Sequence, residues 1–433
     1  MTDLDIDLWA ADMVARTQHD TATKGHSRRR FLQGVVAAGG LAAAGLPSWL
    51  ADAAAGAASP LGPTDGVLCV VMLLGGNDGL NTLAPISGTA RGQYQGLRPK
   101  LALPASSLLP VGDGTWGLHP SLPKLAARVK GGTAAVVQGV GTNGDGSHFA
   151  TRNVMMSATS NGDQSTGWLG RYADGASGWD SGFSEVAVGG WVPLNLVGKR
   201  VEVTALPSTG TLWGSDQSVR GEVTAYSAIR AMSSTASGFG PLADRTTAAV
   251  TDSVDRAGSV ASLYSSTLPA SGLQRDMALA ARTINANLGT RVVTVNKNGY
   301  DTHARQLADH ATLLSELDSS IELFFSTLSS SFRKRTTVLV VSEFGRRPAE
   351  NGSDGTDHGT ANLAFVVGDN VKGGLYGAPP SLTALDPAGN LVPTVDVRSV
   401  YASVLGSWLK DDASGTLGAS YENLGLFKAG PGA

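Results

Sequence analysis

The sequence predicts an α/β fold with a mostly parallel central sheet and helices on both faces. Three observations carry that expectation. Short, wholly apolar runs each end in a turn rich in Gly, Asn or Asp, as buried parallel strands do. Between them lie segments with apolar residues three and four apart, the period of a helix packed on a sheet. Glycine makes up 56 of 433 residues without a short period, which fits tight turns and excludes collagen-like and repeat architectures.

Taken in order, the first strand is Val67 to Leu74, ahead of Gly75-Gly76-Asn77-Asp78-Gly79. The second is Ala134 to Val140, the third Arg291 to Asn296, the fourth Thr336 to Val341, and the fifth Leu363 to Val367. Helices are expected over Pro120 to Val129, over Leu307 to Leu328, and after Asp396. The second of these carries a stripe at Leu307, Ala311, Leu314, Leu317, Ile321, Phe324 and Leu328. Asp396 is a side-chain cap for the third, whose stripe is Val397, Val400, Tyr401, Val404, Leu405 and Trp408. The stretch from about 161 to 271 is rich in Ser, Ala, Gly and Thr, and reads as an inserted cap region.

Composition narrows the function. The chain is 42% hydrophobic and 16% charged, enough for a large core and too little charged for a disordered tail. Thirty-three basic residues against 36 acidic ones give a formal net charge of −3, with no basic face for nucleic acid. The single cysteine, Cys69, excludes an intramolecular disulfide and a cysteine-rich metal site.

At the N-terminus, Ser27-Arg28-Arg29-Arg30-Phe31-Leu32-Gln33 precedes an uncharged Ala/Gly/Leu/Val stretch and small residues near 52–58. That order is the pattern of a twin-arginine export signal, so residues 1–58 are expected to be signal and extension, and 59–433 the folded domain. Glycines and Pro47 make the stretch a poor bilayer span, so no stable membrane span is expected. The expected location is periplasmic, cell-surface or extracellular.

Polar residues collect where the predicted strands end, which in open α/β sheets is where ligands bind. Asp78 follows the first strand and Ser147-His148 the second. Asp301-Thr302-His303 follows the third, Glu343 the fourth, and Asp357-His358 precedes the fifth. Carboxylates and imidazoles without thiolates suit a divalent metal: zinc, manganese, magnesium or calcium. Ser147, at a helix start, is the candidate nucleophile. Arg152, Asn77 and His148 are candidate anion donors, and Arg152 is grouped with Ser147 as catalytic. Several of these residues also have plain structural uses. Asp78 fits a turn, Ser147 a cap, His310 a core position on its helical stripe, and Glu343 a partner for Arg346 or Arg347.

Six ordered motifs carry a family resemblance: Gly75-Gly76-Asn77-Asp78-Gly79-Leu80-Asn81-Thr82, Gly117-Leu118-His119-Pro120, Ser147-His148-Phe149, Gly299-Tyr300-Asp301-Thr302-His303, Ser342-Glu343-Phe344-Gly345-Arg346 and Thr356-Asp357-His358-Gly359-Thr360. Together they resemble a family of exported bacterial proteins known only as a domain of unknown function, placed with the sulfatase-like, alkaline phosphatase superfamily. The resemblance implies an alkaline phosphatase-like fold in which Ser147 is the nucleophile. It implies metal ligands drawn from Asp78, Asp301, His303, His310, Glu343, Asp357 and His358. Two departures stand out. Asp-x-His with a distant His310 replaces Asp-x-x-x-His, and Glu343-Phe344 replaces an Asp-His pair. One metal, or two unequal ones, is therefore expected. The Cys/Ser-x-Pro-x-Arg sulfatase signature is absent. The first expectation is an exported metal-dependent hydrolase with a serine nucleophile, acting on small phosphate esters ahead of sulfate esters. The second is a non-catalytic exported metal-binding or surface-assembly protein on the same fold.

The export machinery is the one protein partner this reading names. Changing Arg28 and Arg29 to Lys should hold the full-length precursor inside the cell, measured by fractionation and immunoblotting. Undiminished export of the double variant would remove the twin-arginine reading.

Overall fold

The computed structural model describes residues 60–142, 146–159, 165–176, 182–208, 251, 256–257, 259–264, 267–270 and 272–433. The chain forms two compact units, Met1–Gly56 with Thr211–Ala261, and Ala57–Gly210 with Ser262–Ala433. The export signal and nearly all of the first unit lie outside the described residues. Every element named below belongs to the second.

Nine described strands form the central sheet: β1 (Val67–Leu73), β2 (Ala134–Gly141), β3 (Glu185–Val188), β4 (Val203–Leu206), β5 (Val292–Lys297), β6 (Thr336–Ser342), β7 (Asn362–Val367), β8 (Gly374–Tyr376) and β9 (Val395–Asp396). Their order is β8-β2-β7-β6-β1-β5-β3-β4, with β9 also paired to β2. Neighbours run parallel except β7, which is antiparallel to both β2 and β6. The N-terminal end of β7 thus shares an edge with the carboxyl ends of β1, β2, β5 and β6. Residues just before β7 and just after the other four are brought to one side of the sheet.

The five expected strands are all present. β3 and β4 arise within 161–271, the stretch read as an inserted cap, and they extend the sheet. Their sequences, Glu-Val-Ala-Val and Val-Thr-Ala-Leu, are too short and mixed to show a buried-strand run.

Alternation along β1 turns Leu68, Val70 and Met72 toward Met155, Trp168, Val397 and Trp408 on one face. On the opposite face the helix Gly272–Asn285 packs on β5 and on the helix Gln306–Thr327. Trp168 stacks on Tyr401 at 4.3 Å, and the Trp408 indole N–H donates to Val67 O at 3.0 Å. Asp396 caps Val397–Ser403 as expected, accepting from Arg398 N–H.

The stripe on Gln306–Thr327 starts later than expected. Leu307 is 41% exposed, and the inward positions of the first turns are taken by Gln306 and His310. That end of the helix runs beneath the polar edge of the sheet, where Gln306 has hydrogen-bond partners and a leucine would have none.

Glu185 opens β3 with its side chain fully buried and both carboxyl oxygens without partners. Burial, reinforced by the charge of Asp174, pushes its pKa well above the ordinary glutamate value. The folded state therefore holds a proton the unfolded state releases, so stability falls as pH rises from the unfolded pKa through the folded one. Glu185→Gln should be more stable than wild type at pH 7 to 8, with the gap closing below about pH 4. The limiting slope for one proton is about 1.4 kcal/mol per pH unit. Urea melts across pH check this; a gap independent of pH would mean that Glu185 does not titrate with folding.

Candidate metal centre

The centre is assembled by close backbone approaches at the carboxyl edge. Gly75 and Gly76 follow β1 with φ of +111° and +79°. A Cβ on Gly75 would stand 2.3 Å from Asp301 N, and one on Gly76 would stand 2.2 Å from the Phe344 ring. Glycine at both positions lets the β1 loop lie directly against the loops after β5 and β6. A short antiparallel ribbon pairs Arg346 with His358 across Gly345–Arg346 and His358–Gly359.

Asp301 sits at the middle. Its Oδ1 accepts from Arg346 Nη2 at 2.6 Å and lies 3.0 Å from Nε2 of both His303 and His358. The two Nε2 atoms are themselves 3.0 Å apart. His148 Nε2 lies 3.5 Å from Asp301 Oδ2, and its Nδ1 lies 2.9 Å from Glu343 Oε1. Burial works against charge on Asp301, but Arg346 and His358 hold its carboxyl below the usual carboxylate range. Burial lowers the His358 pKa against the pull of Asp301, which keeps its imidazole neutral at pH 7.

These residues fit a divalent cation. Ligand atoms of His148, Asp301 and His358 lie within 4.8 Å of one another. His303 adjoins two of them. Imidazole lone pairs facing each other across a carboxylate oxygen are a nitrogen–oxygen donor set of the kind zinc and manganese take.

Other candidates are placed elsewhere. Asp78 is buried beneath the centre, capping Gly79–Thr82 and paired with Arg98 Nη1 at 2.5 Å. Gln306 donates to it as well. Burial opposes its ionisation, yet the charge and hydrogen bond of Arg98 hold its carboxyl below the usual range. An ion pair, not a metal, satisfies this carboxylate. His310 lies 2.9 Å from Asn77 Oδ1 through its Nε2, against the edge of His119. Burial pushes its pKa down to about 3, and it is a neutral interior histidine away from the cluster. Asn77 spends its side chain on Thr82, Asn362 and His310, so it offers no anion donor. Asp357 stands behind His303, 3.4 Å from Nδ1, and accepts from Asn351.

Glu343 is buried and takes its bonds from Gly75 N–H, at 2.6 Å, and from His148. Ser147 Oγ faces Phe149 N–H and Ala150 N–H at 3.3 and 3.4 Å, the place of a helix cap. Arg152 lies over the Phe149 ring, 5.9 Å from its centroid. With Asp78 paired and Phe344 beside Glu343, the residues present do not fit a second metal. The sequence reading missed Arg98 and Gln306. It offered Arg346 or Arg347 as the alternative, structural partner of Glu343; the structure gives Arg346 to Asp301. Arg346 stands inside a quoted motif, whereas nothing about Arg98 in the sequence marks it as the partner of Asp78.

A family profile described as "Protein of unknown function (DUF1501)" matches residues 66–413. The chain belongs to this family. No curated protein matches it. Among solved structures it is similar to the soluble domain of lipooligosaccharide phosphoethanolamine transferase A from Neisseria meningitidis. The identity there is 12% and the TM-score 0.40, over 85% of this chain and 94% of that one. It is similar too to the Streptococcus pyogenes phosphoglycerol transferase GacH in complex with sn-glycerol-1-phosphate, at 10% identity and TM-score 0.35 over 88% and 82%. A third is BT1596, a 2-O GAG sulfatase, at 11% identity and TM-score 0.33 over 84% and 73%.

Arg98→Ala should leave the Asp78 carboxylate buried without its cation, lowering the unfolding free energy by about 3–5 kcal/mol. Urea denaturation measures this directly. A loss below about 1 kcal/mol would show that Asp78 is held by its other donors alone.

Proposed function

We propose that the protein is a divalent-metal-dependent hydrolase of small phosphate esters, with sulfate esters as the second substrate class. The observation that carries this is the convergence of Asp301, His303, His358 and His148 at the carboxyl edge of the sheet, where the loop bearing Ser147 also arrives. A bound divalent ion would supply positive charge and Lewis acidity toward an ester oxygen.

The chain's own groups are given these roles. Asp301, His303 and His358 hold the ion, and Arg346 fixes the Asp301 carboxylate from below. Gly146, with φ +73°, packs where a Cβ would come 3.2 Å from His358 Cβ, so the Ser147 loop lies against the centre. Ser147 Oγ attacks phosphorus, forming a seryl ester as the alcohol leaves with a proton. Water then cleaves that ester and releases phosphate. Phe149, 76% exposed one residue past His148, offers an apolar surface to the alcohol portion. Arg152 stands over that ring as the adjacent cation. No described helix is long and apolar enough to cross a membrane. Export through the twin-arginine route would place the activity outside the cytoplasm.

One observation favours a second reading, a non-catalytic metal-binding protein. The Asp78–Arg98 pair and Phe344 take the places a second metal's donors would hold.

Metal-loaded wild type should turn over at least one class among phosphomonoesters, phosphodiesters and sulfate esters. Ser147→Ala should lose about 100-fold or more in kcat with its Tm little changed, since a lost cap costs about 0.5–2 kcal/mol. Full activity in Ser147→Ala would assign the attack to water and return Ser147 to capping. Metal-loaded wild type inert toward every class would favour the non-catalytic reading.

A further inference from the structure

Two residues at the centre are built for roles opposite to those their positions suggest. The acid after β6 is where a carboxylate ligand is expected, and the residue beside Ser147 is where an anion donor is expected. Glu343 is 1% exposed, and its Oε1 is occupied by Gly75 N–H at 2.6 Å and His148 Nδ1 at 2.9 Å. Its Oε2 meets no partner, and neither does Thr142 Oγ1. Both residues line one cavity of about 10 Å³, with Thr151, Met155 and Asn362. That is about the volume one water needs. Oε1 of Glu343 is thus occupied without touching a metal.

His148 has the complementary arrangement. With Nδ1–H given to the Glu343 carboxylate, the ring presents its Nε2 lone pair, 3.5 Å from Asp301 Oδ2 and on the side of His358. A metal-ligating histidine usually gives its other N–H to a carboxylate, which fixes the tautomer and raises ligand basicity. Phe344 packs edge-on to the ring at 5.1 Å and holds its plane.

We propose that His148 is a direct ligand of the divalent metal and that Glu343 is a positioning residue acting through His148, with Thr142 and one buried water completing its partners. The inference rests on the metal centre of the proposed function, and it moves Glu343 out of the ligand set and His148 into it. The centre becomes three imidazoles, from His148, His303 and His358, around the Asp301 carboxylate.

The test uses zinc-loaded full-length protein and two variants, His148→Ala and Glu343→Gln. Zinc affinity is measured by competition with a chelator, ligand number by X-ray absorption, and folding by the Tm of the metal-free proteins. Wild type should show three imidazoles. His148→Ala, at a half-buried loop position, should show two and bind zinc at least 100-fold more weakly. Glu343→Gln should keep all three imidazoles and its oxygen ligand, and weaken binding about 10- to 100-fold. Three imidazoles remaining in His148→Ala would overturn the proposal, as would loss of an oxygen ligand in Glu343→Gln. If Glu343→Gln does not fold, His148→Ala decides alone. Wild type that binds no metal would overturn both this inference and the hydrolase. Three imidazoles without turnover of any ester would support the inference and remove the hydrolase.

Discussion

Arg346 lies at the base of the metal centre with its guanidinium out of contact with water. It donates to Gly76 O and Thr356 O at 2.8 Å, to Tyr300 O at 2.9 Å, to Gly75 O, and to Asp301 Oδ1 at 2.6 Å. Those partners come from the loop after β1, the loop after β5 and the segment leading to His358. One planar, five-donor group therefore ties the two segments that carry the candidate ligands Asp301, His303 and His358 to the loop after β1. Burying such a cation is costly unless its nitrogens find acceptors, and here each of the three donates to at least one oxygen. The same requirement works in reverse. Loops that must each place a carbonyl on this fork cannot drift independently, so the separation of Asp301, His303 and His358 is a property of the fold. A lysine would supply the charge without the fork.

Beneath that layer lies a second one. Asp78 receives Arg98, Gln306 and two backbone N–H groups, while His310, Asn77, Thr82 and Asn362 bond among themselves. The layer contains one buried ion pair and otherwise neutral groups, since burial holds His310 near 3 and His119 near 4. Both imidazoles stay uncharged at neutral pH, and the layer's charge does not change there. The candidate metal centre thus rests on a platform of fixed charge, and that platform explains why the first turns of Gln306–Thr327 point polar side chains inward.

Which parts of this were legible in the amino-acid sequence follows from the range of the interactions involved. The strands around β1 announce themselves because burial on both faces writes a continuous apolar run. Asp301, His303 and His358 stand out because strand ends with Asp–His pairs have few structural uses. The partner of Asp78 is not legible in that way: Arg98 reaches it only because the helix Gly88–Leu97 folds back, and many arginines look alike in sequence. The exchange between Glu343 and His148 is equally hidden. Spacing shows that both reach the carboxyl edge, but only the Gly75 N–H pointing at Oε1 reveals that the acid is already occupied. β3 and β4 escape notice because four residues carrying Glu185 or Thr204 make no period at all.

Phe344 gives the centre a chemistry that a second imidazole would not. Its ring occupies the space left by the missing Cβ of Gly76, and it stands 4.6 Å from the His358 ring and 5.1 Å from that of His148. An aromatic wall beside two ligands excludes water from one side of each imidazole. Burial disfavours the protonated form of the His358 ring, so its nitrogen keeps its lone pair. Arg98 meanwhile cancels the Asp78 carboxylate that would have attracted another cation. The Asp78 and Asp301 carboxylates each have an arginine partner, so the candidate centre could take a single cation without leaving either carboxylate unpaired.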